Sequence, residues 1–407
     1  MDYVALAVPF FLLAILLELI YGWAIKNNTY RINDTISSLF MGSLRGTSGI
    51  LKIGIGGTIF YIIETEFSLW RMDDTNILTW VFAFVAYDFF YYWFHRISHE
   101  RQIFWASHVA HHQSEEYNLS TALRQTGTGF LITWVFYIPL FAMGVPSYVF
   151  VSVASINLIY QFWVHTKHIG KLGWYELIFV TPSNHRVHHA INNEYVDKNY
   201  GGVFILWDRL FGSFQEELEE EECVYGIRGP IKTFNPIWAN LHIYIKILKD
   251  VKMEITVRNL IRVLIARTGW SPDGSKHGST KEAFNKEEFQ KHDPKVNFVI
   301  SAYALLQLFC LSTISVVLFP SGLLNYLEGV VLLFMIILTM YCTTRWLDGK
   351  QNFILEIVRI ALFTLISVFT YLTDLEYFLT YGLTVYLIVN VILIPFLSKA
   401  ASNNSPL

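Results

Sequence analysis

The sequence predicts an all-α integral membrane protein with about nine transmembrane helices and a cytoplasmic, histidine-rich helical cap that binds two metal ions. Of the 407 residues, 53% are apolar and only 15% are charged, whereas soluble domains average about 25% charged residues. Several apolar runs reach the ~20 residues that a helix needs to cross a bilayer. In addition, ten of the 13 histidines fall between residues 95 and 189.

The apolar runs give the predicted membrane spans. The first run is long enough to span and shows no cleavage pattern, so we interpret it as a retained helix rather than a signal peptide. The runs at 37–63 and 129–143 are the weakest, the former because it is rich in glycine. The candidate spans are residues 3–24, 37–63, 76–94, 129–143, 147–164, 297–319, 322–341, 353–372 and 376–397.

The distribution of Lys and Arg predicts the orientation of these spans, because short basic loops stay on the cytoplasmic side. The loop at 64–75 is acidic, whereas the segments at 24–36, 95–127, 165–296 and 343–352 contain most of the basic residues. The predicted spans fit this pattern when the N-terminus lies outside and the C-terminus inside. Every histidine motif then lies on the cytoplasmic face of either the endoplasmic reticulum or a bacterial inner membrane.

Four regions are expected along the chain. Residues 1–75 form N-terminal membrane helices, and residues 76–235 carry all the histidine motifs. Residues 236–296 form a charged connector that begins with an amphipathic stretch suited to a membrane surface. Residues 297–407 form a C-terminal section of four membrane helices.

Charge and cysteine content exclude other classes of protein. The net charge of −3 is too small to indicate nucleic acid as a partner. The three cysteines lack CxxC spacing, so they predict neither a disulfide framework nor a zinc ribbon. The expected partner is the lipid bilayer, and the sequence does not determine the oligomeric state.

The histidines form three clusters whose spacing matches one face of a helix. His95 and His99 lie four residues apart, and the two later clusters share the pattern HxxHH. Imidazoles at such offsets project from one side of a helix and can bind a metal ion together. The later clusters are His108, His111 and His112, followed by His185, His188 and His189.

These eight imidazoles exceed the four ligands of a tetrahedral zinc ion, so they predict two ions. Imidazole binds iron, zinc, copper and nickel alike, so the residues alone do not identify the metal. Clusters that begin where a membrane helix ends favour an oxygen-activating centre facing a lipid over a structural zinc site. A zinc transporter or sensor is an alternative from another class, but its ligands would be distributed at midplane depth.

Two more histidines extend the predicted metal set. His165 and His168 lie at the end of the span 147–164, and their spacing leaves open which of them faces the ions. The isolated histidines are interpreted as ordinary core or surface residues. These are His242, His277 and His292.

Four polar residues near the clusters are candidates for catalytic or binding roles. Asp88 lies two helical turns before His95, and an intramembrane carboxylate is costly unless it has a function such as orienting an imidazole. Glu100 directly follows His99 and could contact a proton, a cofactor or a metal-bound water, with a surface salt bridge as the alternative. The two candidates for holding a cofactor or a lipid head group are Asn118 and Arg124.

At these residues the sequence resembles the fatty acid hydroxylase/sterol desaturase superfamily, in which HxxxH, HxxHH and HxxHH follow one another in this order. Within it, the likeness is to the branch that cleaves the ether bond of alkylglycerols. Asn184 departs from the pattern, since a further histidine can occur there, but no core ligand is lost. The stretches that carry the resemblance are residues 88–100, 108–112, 117–125, 160–166, 181–189, 197–201 and 207–212.

The resemblance implies two iron ions, O2 as the oxidant and tetrahydrobiopterin as the electron donor. The implied function is a lipid monooxygenase that converts alkylglycerols to a fatty aldehyde and a glycerol derivative. The same kind of centre also serves hydroxylases and desaturases that act on fatty acids, sterols or aminolipids, and the sequence does not separate these outcomes. No pterin-binding motif is evident, so this cofactor rests on the resemblance alone.

Overall fold

The computed structural model describes residues 3–44, 54–253, 256–274, 283–317, 325–372 and 377–402. Within these ranges the regular secondary structure is helical, apart from two isolated antiparallel bridges, Phe179–Phe204 and Ala190–Tyr225. The all-α class predicted from the sequence is therefore confirmed for the described part of the chain.

We number the 17 α-helices of the described ranges in chain order. They are α1 (Tyr3–Ala24), α2 (Ile32–Ser43), α3 (Ile55–Ile62), α4 (Ile77–Glu100), α5 (Gln102–Ala106), α6 (Val109–His112), α7 (Leu119–Ala122), α8 (Ile138–Ala142), α9 (Ser147–Trp163), α10 (Pro182–His189), α11 (Leu206–Phe211), α12 (Pro236–Lys252), α13 (Val257–Ile265), α14 (Phe298–Val317), α15 (Tyr326–Leu347), α16 (Phe353–Leu372) and α17 (Tyr377–Ser402).

Several of these helices have the length and composition of membrane spans. In the described residues, four segments are long and apolar enough to cross a bilayer: Tyr3–Ala24, Ile77–Glu100, Tyr326–Leu347 and Tyr381–Lys399. Large apolar side chains on α1 lie exposed, which suits contact with lipid rather than water. The structure therefore supports a multi-pass integral membrane protein, whereas the count of nine spans is not confirmed.

The two weakest predicted spans have different outcomes. In the 37–63 run, α2 and α3 are described, but residues 45–53 lie outside the described part of the chain. The 129–143 run folds into two 3-10 segments followed by the short helix α8. Pro139 lies in the first turn of α8, where it has no backbone N–H to continue the hydrogen bonds of the preceding 3-10 segment.

Helix α4 carries the first histidine motif and is held by aromatic packing. Tyr87 stacks on Tyr137, with ring centroids 4.9 Å apart, in a buried cluster that also includes Val149 and Val153 of α9. Each such aromatic pair contributes about 0.5–1.5 kcal/mol beyond its buried area. This packing fixes α4 against α9, so that both helices present their C-terminal ends to the same region.

Helix α1 contributes a buried carboxylate next to the histidine motifs. Glu18 accepts hydrogen bonds from the Leu119 backbone N–H at 2.8 Å, from the Thr166 hydroxyl at 2.5 Å and from the Tyr30 hydroxyl. Leu119 begins α7, and Thr166 directly follows His165. One side chain of α1 therefore connects two segments that border the histidine motifs.

The chain divides into two compact units. The first consists of Met1–Arg31, Ile53–Ile231 and Ala239–Lys291, and it contains all three histidine motifs. The second consists of Ile32–Lys52, Lys232–Trp238 and His292–Leu407. The described helices of the second unit include α2 and α14 to α17.

The second unit contains a buried ion pair. Arg359 is 1% exposed, and its guanidinium donates to the Glu356 carboxylate at 2.8 Å. It also donates to the hydroxyl groups of Tyr303 and Tyr386 and to the side-chain oxygen of Asn390, at 2.6–3.0 Å. These partners lie on α14 and α17, so the pair connects three helices of this unit.

Replacing Arg359 by methionine is expected to destabilise the protein by about 3 kcal/mol, because Glu356 then becomes an uncompensated buried charge. The effect is measured as a lower midpoint of thermal unfolding in detergent. The double variant Glu356→Gln/Arg359→Met is the control and should recover part of the loss, since no charge remains buried. An unchanged midpoint in the single variant would show that the pair adds nothing to stability.

Candidate metal centre

The three histidine motifs lie at the ends of short or terminating helices. His95 and His99 occupy the last turns of α4, and His165 follows directly after α9. The second motif forms the single-turn helix α6 and its N-cap. The third motif forms most of α10, which begins with Pro182 and a capping box on Thr181. The chain thus brings its motifs together from helix ends rather than from one long helix.

Nine histidines form two groups in which the ligand nitrogens lie within 4.8 Å of one another. Each HxxHH motif contributes to both groups. Its first and third histidines belong to one group, and its second histidine belongs to the other. The five-histidine group consists of His95, His99, His108, His112 and His188. The four-histidine group consists of His111, His165, His185 and His189.

In the five-histidine group, the Nε2 atoms converge. Nε2 of His108 lies 3.0 Å from that of His95 and 3.1 Å from that of His112. Nε2 of His99 lies 3.1 Å from that of His112. Nitrogen ligands bound at ~2.1 Å to one ion lie about 3 Å apart when they are adjacent, so these separations match a shared ion.

The four-histidine group converges in the same way. Nε2 of His185 lies 3.1 Å from that of His165 and 3.2 Å from that of His189. The rings of His112 and His189 stack with centroids 4.3 Å apart, so the two groups are immediate neighbours. This arrangement suits two ions held side by side.

Backbone carbonyls orient four of the rings. The Nδ1 atoms of His95, His111, His165 and His188 lie 2.8–2.9 Å from the carbonyl oxygens of Tyr200, Arg124, Gln161 and Lys198, respectively. A carbonyl only accepts hydrogen bonds, so each Nδ1 carries the proton and donates it. The Nε2 of each ring then has a free lone pair and can bind a metal.

Burial keeps these rings neutral. Each of the nine has at most 9% of its surface exposed. Desolvation lowers the pKa of His111 to about 4 and that of His188 to about 3. Neutral imidazole is the form that binds metal, so at pH 7 no proton has to leave before an ion binds.

Buried imidazole nitrogens without a hydrogen-bond partner indicate whether the residues fit a metal ion. Nε2 of His188 and Nδ1 of His185 are buried and have no hydrogen-bond partner among the described residues. A buried polar atom without a partner costs about 1–3 kcal/mol. A metal ion bound by the Nε2 of His188 would remove that cost, so the donor set fits transition-metal ions.

His168 is not brought into either group. Helix α9 ends at Trp163, so residues 165 and 168 do not share a helical face as the i, i+3 spacing suggested. The His168 ring instead packs edge-on against Tyr21 of α1, with centroids 5.3 Å apart. Of the two histidines that follow α9, only His165 reaches the clustered rings.

Asp88 is fully buried, and its carboxylate accepts four hydrogen bonds. The donors are the Asn157 side chain and the backbone N–H of Val203 and Phe204, at 2.7–3.0 Å, and the Trp207 indole at 3.0 Å. None of these donors is an imidazole. Two of the donors, Val203 and Phe204, belong to the segment that follows the Tyr200 carbonyl. The Asn157 side chain in turn accepts from the Gln161 side chain at 2.6 Å.

The other predicted residues make structural contacts. Glu100 pairs with Arg96 one turn away, at 3.0 Å. Asn118 caps α7 and donates to the Thr29 carbonyl at 2.7 Å. Arg124 donates to the Ala110 carbonyl at 2.7 Å, and its own carbonyl accepts from His111. Both residues follow the second motif in the chain, and Arg124 contacts the motif directly through the Ala110 carbonyl and the His111 ring.

Sequence reasoning did not single out the residues that orient the rings. Lys198 and Tyr200 act through backbone carbonyls, which no side-chain pattern reveals. In the sequence, the stretch from Asp197 to Gly201 is distinguished only by its resemblance to the superfamily. The signal that could have pointed to these carbonyls is the Asp-Lys-Asn-Tyr-Gly sequence shortly after the third motif.

A cavity of about 40 Å³ lies beside the five-histidine group. Its walls include His99, His112 and His188, together with Trp105 and Arg228. This volume has room for a few water-sized molecules.

Comparison with known proteins places the chain in a family. Residues 80–213 match the family model "Fatty acid hydroxylase". Alkylglycerol monooxygenase of Danio rerio is 36% identical over 396 residues, which cover 96% of this chain and 88% of the relative. Alkylglycerol monooxygenase of Homo sapiens is 42% identical over 282 residues, covering 69% of this chain and 63% of the relative.

A more distant relative is ornithine lipid hydroxylase OlsE of Rhizobium tropici, which is 29% identical over 37% of this chain and 46% of its own length. No solved structure matches the chain significantly. The similarity to the Danio rerio protein extends over nearly the whole chain, and the matched domain contains every clustered histidine. The chain therefore belongs to the alkylglycerol monooxygenase family.

Proposed function

We propose that this protein is a membrane di-iron monooxygenase that cleaves the ether bond of alkylglycerols with O2 and tetrahydrobiopterin. The products are a fatty aldehyde and a glycerol derivative. The observation that carries the proposal is the pair of interlocked all-histidine groups at the end of a membrane-length helix, in a member of the alkylglycerol monooxygenase family.

The two histidine groups would hold one iron ion each. Bound iron would supply the activation of O2 that lets one oxygen atom enter the C–H bond next to the ether oxygen, while two electrons from the pterin and two protons convert the other to water. The hydroxylated ether is a hemiacetal, which breaks down to the aldehyde and the free glycerol hydroxyl. Hydrogen abstraction is easiest at this carbon because the neighbouring oxygen stabilises a radical.

The chain itself provides orientation and an apolar environment. The carbonyls of Tyr200 and Lys198 hold His95 and His188 in the tautomer that binds metal. The rings of Tyr91 and Phe94 pack near His95 and His108, with centroids 5.3 and 6.2 Å apart. These aromatic walls exclude water from the side of the centre that faces the membrane span.

We further propose that the centre lies on the cytoplasmic side of a nine-span protein, in the endoplasmic reticulum or a bacterial inner membrane. The support for this placement is the excess of Lys and Arg in the segments that carry the histidines. The alkyl chain would reach the centre from the bilayer, along the apolar helix α4 that ends at His95 and His99.

The test is aldehyde release from a labelled 1-O-alkylglycerol by membranes that contain the protein. With O2 and tetrahydrobiopterin we expect aldehyde to form, and omission of the pterin should abolish it. Membranes carrying the His111→Ala variant are the matched control. Absence of aldehyde from a protein that holds two irons per chain would reject the ether-cleaving function and retain the iron centre.

A second candidate is a hydroxylase or desaturase that acts on a fatty acid, a sterol or an aminolipid. The similarity to ornithine lipid hydroxylase OlsE over 156 residues favours this candidate over unrelated functions. The same membranes incubated with ¹⁸O2 would separate the two, because a hydroxylated or unsaturated lipid in place of aldehyde would support the second candidate.

A further inference from the structure

A short segment between α10 and α11 supplies two of the ring-orienting carbonyls. The Lys198 carbonyl accepts from His188 at 2.9 Å, and the Tyr200 carbonyl accepts from His95 at 2.8 Å. Both histidines belong to the five-histidine group. The carbonyls are two residues apart, so the conformation of the residue between them decides whether both can reach their rings.

That residue is Asn199, and it has a left-handed backbone conformation. Its φ is +53°, and Asp197, two residues earlier, has φ +59°. Only four non-glycine residues in the described part of the chain have positive φ, and two of them lie here. Asparagine and aspartate tolerate this region better than other side chains, but the conformation persists only where the surroundings hold it.

The Asn199 side chain provides that hold. It is fully buried, and its amide donates to the Asn184 carbonyl at 3.0 Å and to the Gln215 carbonyl at 2.7 Å. Its side-chain oxygen accepts from the Gln215 backbone N–H at 2.8 Å. The backbone N–H of Asn199 donates to the Ser213 carbonyl at 3.0 Å. Asn199 is therefore fastened to α10, which carries His188, and to the chain after α11.

The two carbonyls are not held equally. Asp208 accepts from the backbone N–H groups of Tyr200 and Gly201, both at 2.7 Å, so the Tyr200 carbonyl has a second support. The Lys198 carbonyl lies on the other side of Asn199, next to the left-handed Asp197. Loss of the Asn199 side chain should therefore disturb His188 more than His95.

We infer that Asn199 is a positioning residue for one of the two proposed metal ions. By holding the left-handed turn, it aims the Lys198 and Tyr200 carbonyls at His188 and His95 and thereby fixes the metal-binding Nε2 of both rings. The inference rests on the proposed metal centre and adds an asymmetry to it. The five-histidine group depends on Asn199, whereas no ring of the four-histidine group is oriented by this segment.

The test compares Asn199→Ala and Asn199→Gly with a matched control, Asn192→Ala. Asn192 is also a buried asparagine that ties two chain segments, accepting from the Val224 N–H at 2.8 Å and donating to the Glu222 carbonyl at 2.9 Å. The measurements are iron per chain, the rate of iron release to a chelator, and the unfolding midpoint of the chelator-treated protein. None of them requires substrate or turnover.

Both Asn199 variants should lose one iron of the two about 10–100-fold faster than the wild type, since changes to groups that orient metal ligands have effects of this size. Iron content should fall towards one per chain, while Asn192→Ala retains both ions. A purely structural role of Asn199 would lower the unfolding midpoint as Asn192→Ala does, without selective iron loss.

Wild-type release rates in Asn199→Gly would overturn the inference, because glycine keeps the left-handed backbone but not the side-chain bonds. If both Asn199 variants fail to accumulate while Asn192→Ala accumulates, Asn199 is required for folding and the positioning role is rejected. A wild-type protein that binds fewer than two irons would contradict the proposed metal centre itself, which is a separate result.

Discussion

Replacing His188 by alanine is expected to abolish turnover while leaving the protein in the membrane. His188 is the only residue of the third motif in the five-histidine group, so no neighbour from α10 can take its place there. Changes to groups that merely orient ligands already reduce activity or metal affinity about 10–100-fold, so loss of a ligand should exceed 100-fold. His111→Ala should have the same effect through the four-histidine group.

The measurements are aldehyde release and iron per chain in purified protein. His242→Ala and His168→Ala serve as controls, because both histidines lie outside the two groups. Both should retain iron and activity near the wild-type level. Wild-type turnover in His188→Ala or His111→Ala would refute the ligand assignment, and loss of iron in His168→Ala would return that residue to the metal set.

Replacing Asp88 by asparagine is expected to lower activity with partial retention of iron. Each carboxylate oxygen of Asp88 accepts two N–H donors. An amide nitrogen in place of one oxygen would face two donors and leave them unpaired, at a cost of about 1–3 kcal/mol for each buried group. The segment from Tyr200 to Phe204 would then shift, and with it the carbonyl that orients His95.

Space around this segment is also tight, which limits how it can relax. A Cβ atom on Gly202 would lie 2.8 Å from the Asp88 carboxylate and 2.8 Å from the Tyr91 ring. The segment therefore depends on glycine here as well as on the carboxylate. We expect the Asp88→Asn defect to appear in iron content as well as in activity.

The matched control for Asp88→Asn is Asp348→Asn. Asp348 is a buried carboxylate of the second unit that accepts from the Phe234 backbone N–H at 2.9 Å and from the Thr233 hydroxyl. Its substitution should lower the unfolding midpoint without removing iron. Full activity and full iron content in Asp88→Asn would mean that Asp88 supports only the packing of α4.

The sequence alone predicted the class and the chemistry of this protein. Apolar runs of span length and a low charge content predicted a helical membrane protein, because lipid requires every backbone polar group to be satisfied within a helix. The order and spacing of three histidine motifs predicted a two-ion centre and the family. These signals are local, since the i, i+3 and i+4 offsets describe one helical face.

The tertiary structure decided how those histidines divide into two groups. The spacing predicted that the histidines of one motif share a helical face and act together. In the structure, however, His111 and His188 each belong to a different group from the other two histidines of their motif. His168 falls outside both groups because α9 ends before it.

Only the tertiary structure reveals the partners that orient the rings. His95 and the Tyr200 carbonyl are 105 residues apart in the chain, and a carbonyl leaves no trace in residue type. Asp88 likewise contacts that distant segment rather than a ring on its own helix. Periodicity describes one helix at a time, whereas a metal centre is set by distances between helices, which depend on how the whole chain packs.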